Sequence, residues 1–267
     1  MKMFQVDAFT DKLFAGNPAA VLLLDAWPDD AFMLAIAQEN NLAETAFAMP
    51  RDTGGWHLRW FTPTQEVDFC GHATLATAHV LASEYDVRET MLFETRVGKL
   101  RVEREGSVYC LDVPRLDPEP LNVQPTELDG VFPKKPKAFF RNFENLYADI
   151  GTEEAVRAFK PDLSKIATLG PVGLVITGEG NGESGASFVS RYFAPGAGIP
   201  EDPVTGSIHA TLVPYWSKRL GQDRHHAFQA SDRGGWLDCE LTKERVLLRG
   251  NAVTFMEAQI RVKSQAV

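Results

Sequence analysis

A short pattern of residues occurs twice in this chain of 267 residues. The first copy runs from Arg59-Trp60-Phe61 through a proline to Gly71-His72 and an Ala-Thr-Leu run. The second runs from Arg191-Tyr192-Phe193 through a proline to Gly206-Ser207 and another Ala-Thr-Leu run, with a longer loop before its glycine. Each copy is typical of a strand, a loop, a glycine and a buried helix. The repeat therefore predicts two similar halves.

The composition is that of an ordinary globular protein, and a cluster of prolines indicates the boundary between the two halves. Hydrophobic residues make up 44% of the chain and charged residues 24%, as in ordinary globular proteins. Six prolines fall between Pro114 and Pro136, and neither a helix nor a central strand runs through such a stretch. We predict an N-terminal half of residues 1–115, completed by a C-terminal strand at about 252–267, and a C-terminal half of residues 116–251.

Hydrophobic patterns predict many short strands and one buried helix in each half. Residues 71–84 and 206–220 are apolar nearly all round, which indicates helices buried on every side. Residues 245–250 and 252–262 are expected to form two closing strands. The predicted fold class is α+β, with each half a curled mixed sheet or barrel around its central helix.

Charge and hydropathy exclude two classes of partner. The net charge of −9 and the pI near 5.2 argue against a nucleic-acid-binding protein, which usually has a basic face. The apolar run at residues 21–24 is too short to span a membrane, and the first residues are typical of a strand and not of a signal peptide.

The cysteines and the absence of cofactor motifs narrow the function further. Cys70, Cys110 and Cys239 are widely separated and odd in number, so they predict neither a disulfide framework nor a zinc cluster. A reducing cytoplasm fits this pattern. The sequence contains no phosphate-binding loop, no dinucleotide fingerprint and no metal-ligand spacing. We therefore expect no cofactor and no metal.

The first candidate site is the segment Asp68–Thr74. Gly71 opens the first buried helix, where free N–H groups attract a carboxylate or an oxyanion. His72 is expected in the first turn, near that anion, and the helix N-terminus could stabilise a Cys70 thiolate. The alternative is a tight strand-to-helix turn with a capping histidine.

The second candidate site is the segment Glu201–Ser207, the internal counterpart of the first. Thr205 is expected to cap the second helix, Gly206 and Ser207 present N–H groups, and Asp202 adds a carboxylate. The alternative is an ordinary Asp-Pro turn. Two such helix N-termini facing each other would form a small anion-binding cleft. Since Thr205 replaces Cys70 in this copy, a symmetrical two-thiol racemase is not supported.

Glu44 is the third candidate, because it lies among apolar and small residues. A buried carboxylate there would hold a proton more tightly, which suits a general base acting on a carbon acid. The alternative is a charge at a helix terminus that faces water.

Four segments together resemble the phenazine-biosynthesis PhzF-like family: Phe14–Val21, Asn41–Phe47, Asp68–Thr74 and Glu201–Ser207. The likeness extends from residue 3 to about residue 260. It implies the diaminopimelate-epimerase-like fold with two pseudo-symmetric halves, cofactor-independent isomerase chemistry, and a homodimer.

The resemblance also implies roles for single residues. In the founding member of the family a glutamate moves a proton between carbons of a cyclic dihydroxy-dihydroanthranilate, and the resemblance places this role on Glu44. The remaining predicted site residues are His72, Asp202 and Ser207 as catalytic residues, and Gly71, Gly206, Cys70 and Thr205 as substrate-binding residues.

The sequence thus predicts a cytoplasmic isomerase that moves a proton within a small anionic metabolite, with Glu44 as acid and base. Two alternatives stay open at this point. One is a racemase or epimerase that uses Cys70 and one non-thiol partner. The other is a protein of the same fold that binds a metabolite or a protein without catalysis.

Overall fold

The computed structural model of the protein describes residues 1–88 and 90–261. Contacts divide them into two compact units, which are residues 1–111 with the described residues from Gly250 onward, and residues 112–249. Residues 262–267, the end of the predicted C-terminal strand, lie outside the described residues. The boundaries predicted from the sequence, at 115/116 and about 252, stay a prediction.

The first part of the chain forms strands and two helices in this order: β1 (Lys2–Ala8), β2 (Asn17–Leu23), α1 (Asp30–Asn40), β3 (Glu44–Pro50), β4 (Trp56–Phe61), β5 (Glu66–Val67), α2 (Gly71–Glu84), β6 (Met91–Thr95), β7 (Gly98–Glu105) and β8 (Val108–Pro114). The elements of the second unit follow: β9 (Glu119–Leu121), β10 (Ala138–Arg141), β11 (Asn145–Thr152), α3 (Glu153–Ala158), α4 (Leu163–Ile166), β12 (Gly173–Glu179), β13 (Phe188–Ala194), β14 (Ile199–Asp202), α5 (Gly206–Leu220), β15 (Arg224–Gln229) and β16 (Gly235–Leu241). The last strand, β17 (Arg245–Gln259), begins in the second unit and ends in the first.

Strand pairing follows one scheme in both units. In the first, β1–β2, β3–β4, β4–β5 and β6–β7 are antiparallel, whereas β2–β3 and β4–β6 are parallel. In the second, β10–β11, β12–β13, β13–β14 and β15–β16 are antiparallel, whereas β11–β12 and β13–β15 are parallel. The first unit's strands close into an eight-stranded barrel through β8, β17 and β1. The predicted α+β fold with two pseudo-symmetric halves is confirmed.

The two predicted central helices begin and end where the sequence indicates. Helix α2 is buried along most of its length and packs against β1, β2 and β3. Helix α5 is also buried along most of its length, packs against β15 and β16, and ends at Gly221 in the left-handed conformation. Lys218 and Arg219 occupy its last turn, where positive charge favours the helix dipole. Among the helices of the described ranges, none is long and apolar enough to cross a membrane.

The end of the chain differs from the prediction. Residues 245–259 form one continuous strand and not two, because β17 pairs first with β16 and then with β1. Gly250, the last residue of the first predicted strand, lies inside this continuous strand. A side chain at this position would approach the ring of Phe9 to 2.5 Å, so this glycine serves a close approach and not a turn.

Candidate active site

Glu44 is the first residue of β3 and lies just beyond the end of α1. Asp29 caps the start of α1 by accepting a 2.6 Å hydrogen bond from the N–H of Phe32, and Asn41 ends the helix in the left-handed conformation. Strand β3 pairs in parallel with β2, which sets Glu44 beside Ala19. The carboxylate is largely withdrawn from solvent, with 13% of the side chain exposed.

His72 faces this carboxylate from the first turn of α2. Its Nε2 lies 3.1 Å from Oε2 of Glu44, and the imidazole is buried. Burial alone lowers the pKa of His72, but the contacts with Cys70 and with the Glu44 carboxylate outweigh burial and hold that pKa well above 6.5. Glu44 and His72 thus form an acid–base pair that is largely shielded from water.

Asn17 also contacts this pair, although in the sequence Gly16-Asn17-Pro18 indicates only a turn. Its Nδ2 lies 3.2 Å from Nδ1 of His72, and its side chain is buried. The amide thus contacts the Nδ1 edge of the ring, while Nε2 faces Glu44. Gly16 precedes it at a φ of 64°, where any side chain would collide with the carbonyl of Ala8.

Cys70 completes the cluster as the residue before α2. Its Sγ lies 3.4 Å from Nδ1 and 4.0 Å from Nε2 of His72. Burial, and to a lesser extent the negative charge of Glu44, raise the pKa of this thiol to about 11. The expectation of a thiolate at the helix N-terminus is therefore wrong at neutral pH, because desolvation outweighs the helix dipole.

These three side chains also form a group with metal-binding chemistry. A carboxylate oxygen of Glu44, the sulfur of Cys70 and a ring nitrogen of His72 all lie within 4.8 Å of one another. Sequence spacing did not reveal this group, because Glu44 comes from β3 while the other two flank the start of α2.

In the second unit, a hydrogen-bonded network surrounds the start of α5. Thr205 occupies the N-cap position of α5, as predicted, but its hydroxyl donates to Oδ2 of the buried Asp202 and makes no capping hydrogen bond. Gln229 accepts a 2.8 Å hydrogen bond from the N–H of Thr205 and donates a 2.9 Å bond to the carbonyl of Asp202. No sequence motif marked Gln229, which reaches this turn from β15. Ser207 is half-buried in the first turn of α5.

The structure therefore groups the predicted residues unit by unit. The first unit brings together Glu44, Cys70, Gly71 and His72, and the second unit brings together Asp202, Thr205, Gly206 and Ser207. The first N–H groups of α2 and of α5 have no carbonyl partner within their own helix and suit an anion. The use of both groups by one substrate stays a prediction.

Residues 6–258 match the model of a family described as phenazine biosynthesis-like proteins. The chain belongs to this family. The match covers nearly the whole sequence and includes all four segments on which the resemblance was based, so that interpretation is confirmed.

Individual relatives agree with this assignment. An uncharacterized isomerase of Pseudomonas aeruginosa is 43% identical, over 98% of this chain and 99% of the relative. A solved structure of a phenazine biosynthesis protein of the PhzF family from Enterococcus faecalis is 41% identical, with a TM-score of 0.92 over 98% of this chain and 99% of that chain. A predicted epimerase of Pseudomonas aeruginosa, at 21% identity and a TM-score of 0.72 over 98% and 99% of the two chains, shares the fold. The protein is an isomerase-class member of the family.

Proposed function

We propose that this isomerase takes a proton from one carbon of a small anionic metabolite, such as a cyclic carboxylate, and returns it to another carbon. Glu44 is the acid and base in this proposal. The proposal rests on the 3.1 Å contact between Oε2 of Glu44 and Nε2 of His72, two side chains that are largely shielded from water. A carboxylate held in a site that excludes most water can be positioned against a C–H bond with little competition from solvent.

We assign roles that support this proton transfer to polar side chains next to Glu44 and around the start of α5. His72 and Asp202 hold or relay protons on the polar substituents of the substrate, and Ser207 orients it. The raised pKa of His72 supports this role, because the ring can carry a proton near neutral pH.

Backbone groups stabilise the charge that develops when the carbon loses its proton. The N–H groups at Gly71 and at Gly206, each opening a buried helix, are assigned to a carboxylate or carbonyl oxygen of the substrate. Cys70 and Thr205 precede these glycines and complete the substrate-binding set. The donors are fixed by the helices, so they need no rearrangement during the reaction.

The alternative epimerase chemistry at Cys70 is less well supported. A buried thiol with a pKa of about 11 is a poor base at neutral pH. Its counterpart Thr205 has no thiol, and the Thr205 hydroxyl donates to Asp202. We therefore assign proton transfer to Glu44.

Deuterium exchange tests the proposal. The protein is incubated in D₂O with a panel of small carboxylic acids, and NMR follows deuterium uptake and double-bond migration. On the acid that reacts, Glu44→Gln is expected to lower turnover by about 10²–10⁴-fold. Glu39→Gln makes the same chemical change at an exposed position of α1 and is expected to leave turnover intact. Full activity of Glu44→Gln would end the assignment, and inversion at a single carbon would favour an epimerase.

A further inference from the structure

The cluster of Glu44, Cys70 and His72 offers three different metal ligands at the starts of β3 and α2. Cys70 and His72 lie on either side of the first residue of α2, and Glu44 begins β3, which packs against that helix. The thiol and the imidazole are buried, and the carboxylate is 13% exposed. Such a set is enclosed by protein on most sides and open on the side of Glu44.

One ligand atom of this set makes an ion-pair contact but no well-formed hydrogen bond. Oε2 of Glu44 is buried and accepts no hydrogen bond of good geometry from any described residue, although Nε2 of His72 lies 3.1 Å away. A buried carboxylate oxygen is normally satisfied by a hydrogen bond, an ion pair or a metal. The atom therefore has room in its coordination for a cation placed between it and the neighbouring side chains.

The distances suit a tetrahedral ion. Nε2 of His72 is 3.1 Å from Oε2 of Glu44 and 4.0 Å from Sγ of Cys70. An ion with bonds of about 2.0–2.3 Å to oxygen, nitrogen and sulfur holds such ligands about 3.3–3.6 Å apart. A carboxylate oxygen of Glu44 and Sγ of Cys70 lie within 4.8 Å of each other, so movements of about an ångström or less convert the cluster into a coordination shell. The fourth position is left for water or for a substrate oxygen.

We propose that Glu44, Cys70 and His72 form a binding site for a thiophilic divalent cation of the Zn²⁺ class, which blocks the proton-transferring carboxylate. The Cys70 thiol and the protonated His72 ring each release one proton to solvent when the metal bonds form, and His72 then binds as the neutral ring through Nε2. One carboxylate and one thiolate neutralise the two charges of the cation, so the occupied site carries no net charge. A thiolate ligand selects Zn²⁺, Cd²⁺ and Co²⁺ over Mg²⁺ and Ca²⁺.

Asn17 fits the role of a supporting residue for this ion. A metal-bound histidine usually donates the proton of its other ring nitrogen to an oxygen. The amide nitrogen of Asn17 lies 3.2 Å from Nδ1 of His72. Rotation of the amide group about its terminal bond exchanges its nitrogen and oxygen and places the oxygen next to Nδ1. Metal binding does not depend on the proposed function, whereas the resulting inhibition rests on Glu44 acting as acid and base.

Cobalt spectroscopy tests the binding without any substrate. Metal-free protein is titrated with Co²⁺, and we expect a saturable thiolate-to-cobalt charge-transfer band, together with the visible bands of tetrahedral Co²⁺, that Zn²⁺ displaces. Cys70→Ser is expected to abolish the charge-transfer band and to weaken binding by at least roughly tenfold, the minimum seen even for residues that only support ligands. Cys239→Ser, which changes another buried thiol, is expected to retain the band.

A second variant keeps the test informative if Cys70→Ser does not fold. His72→Gln keeps the thiol, and we expect it to retain cooperative unfolding while it weakens Co²⁺ binding. A charge-transfer band that persists in Cys70→Ser, equal binding by His72→Gln, or no saturable band in the unsubstituted protein would each overturn the site. If the band forms but Zn²⁺ leaves deuterium exchange unchanged, the metal site stands and the role of Glu44 fails.

Discussion

The guanidinium of Arg59 holds the carboxylate of Glu66 through two hydrogen bonds, of 2.7 Å from Nε and 2.6 Å from Nη2. Arg191 holds Glu201 in the same way, with distances of 2.7 and 2.9 Å. Each pair joins the long strand β4 or β13 to the short strand that leads into α2 or α5. The repeated arginine is therefore a clamp on the loop before each helix.

The Arg59 clamp predicts a specific loss of stability. Arg59→Lys keeps the charge but cannot form two parallel hydrogen bonds with Glu66, whose side chain is 9% exposed. We expect the free energy of unfolding to fall by about 1–3 kcal/mol, measured by urea denaturation. Arg88→Lys, at the exposed pair with Asp86, is the matched control and should produce no measurable change. Equal effects of the two substitutions would show that the clamp contributes nothing.

A second correspondence between the units concerns the fourth residue of each central helix. The Thr74 hydroxyl donates a 2.6 Å hydrogen bond to the carbonyl of Cys70, and Nδ1 of His209 lies 2.8 Å from the carbonyl of Thr205. We expect His209→Thr to retain this bond and His209→Val to lose it, with nearly the same side-chain volume. The threonine variant should be more stable by about 1 kcal/mol in urea denaturation. Equal stability, with equal denaturant dependence, would contradict a contribution from the bond.

The same histidine predicts how stability depends on pH. Burial lowers the pKa of His209 to about 4, whereas the unfolded chain binds this proton near pH 6.5. Between these values the unfolded state binds more protons, so stability is full above about pH 6.5 and falls towards pH 4. His209→Thr should reduce the slope of unfolding free energy against pH by up to about 1.4 kcal/mol per unit in this range. Unchanged slopes in urea denaturation at a series of pH values would show that His209 titrates normally.

How far the sequence predicts this protein depends on the range of each interaction. The repeat, the apolar runs and the cap residues are local, and they placed α2, α5 and the two-part fold correctly. Asn17 and Gln229 act through contacts with residues 55 and 24 positions away, and nothing near them in the sequence marks that role. The neutral state of Cys70 likewise depends on burial by distant elements, while the sequence shows only the adjacent helix terminus.

Gln229 provides a test of the network at the start of α5. Its side chain accepts from the N–H of Thr205 and donates to the Asp202 carbonyl and the Thr205 hydroxyl. Gln229→Met has a similar volume but leaves these groups without their partner, and we expect a loss of about 2–4 kcal/mol in urea denaturation. Gln222→Met changes an exposed glutamine and is the control. A loss no larger than that of the control would exclude the network as a source of stability.

Cys70→Ser distinguishes a supporting thiol from a catalytic one. The thiol is buried, has a pKa of about 11, and contacts His72 at 3.4 Å, so its removal should disturb the orientation of the ring more than the transfer of the proton. On the substrate identified by deuterium exchange, we expect a fall in kcat of about tenfold or less, against about 10²–10⁴-fold for Glu44→Gln. Cys239→Ser controls for the loss of a buried thiol as such. If Cys70→Ser instead loses as much activity as Glu44→Gln, with exchange confined to one inverted carbon, the cysteine-dependent epimerase becomes the better description.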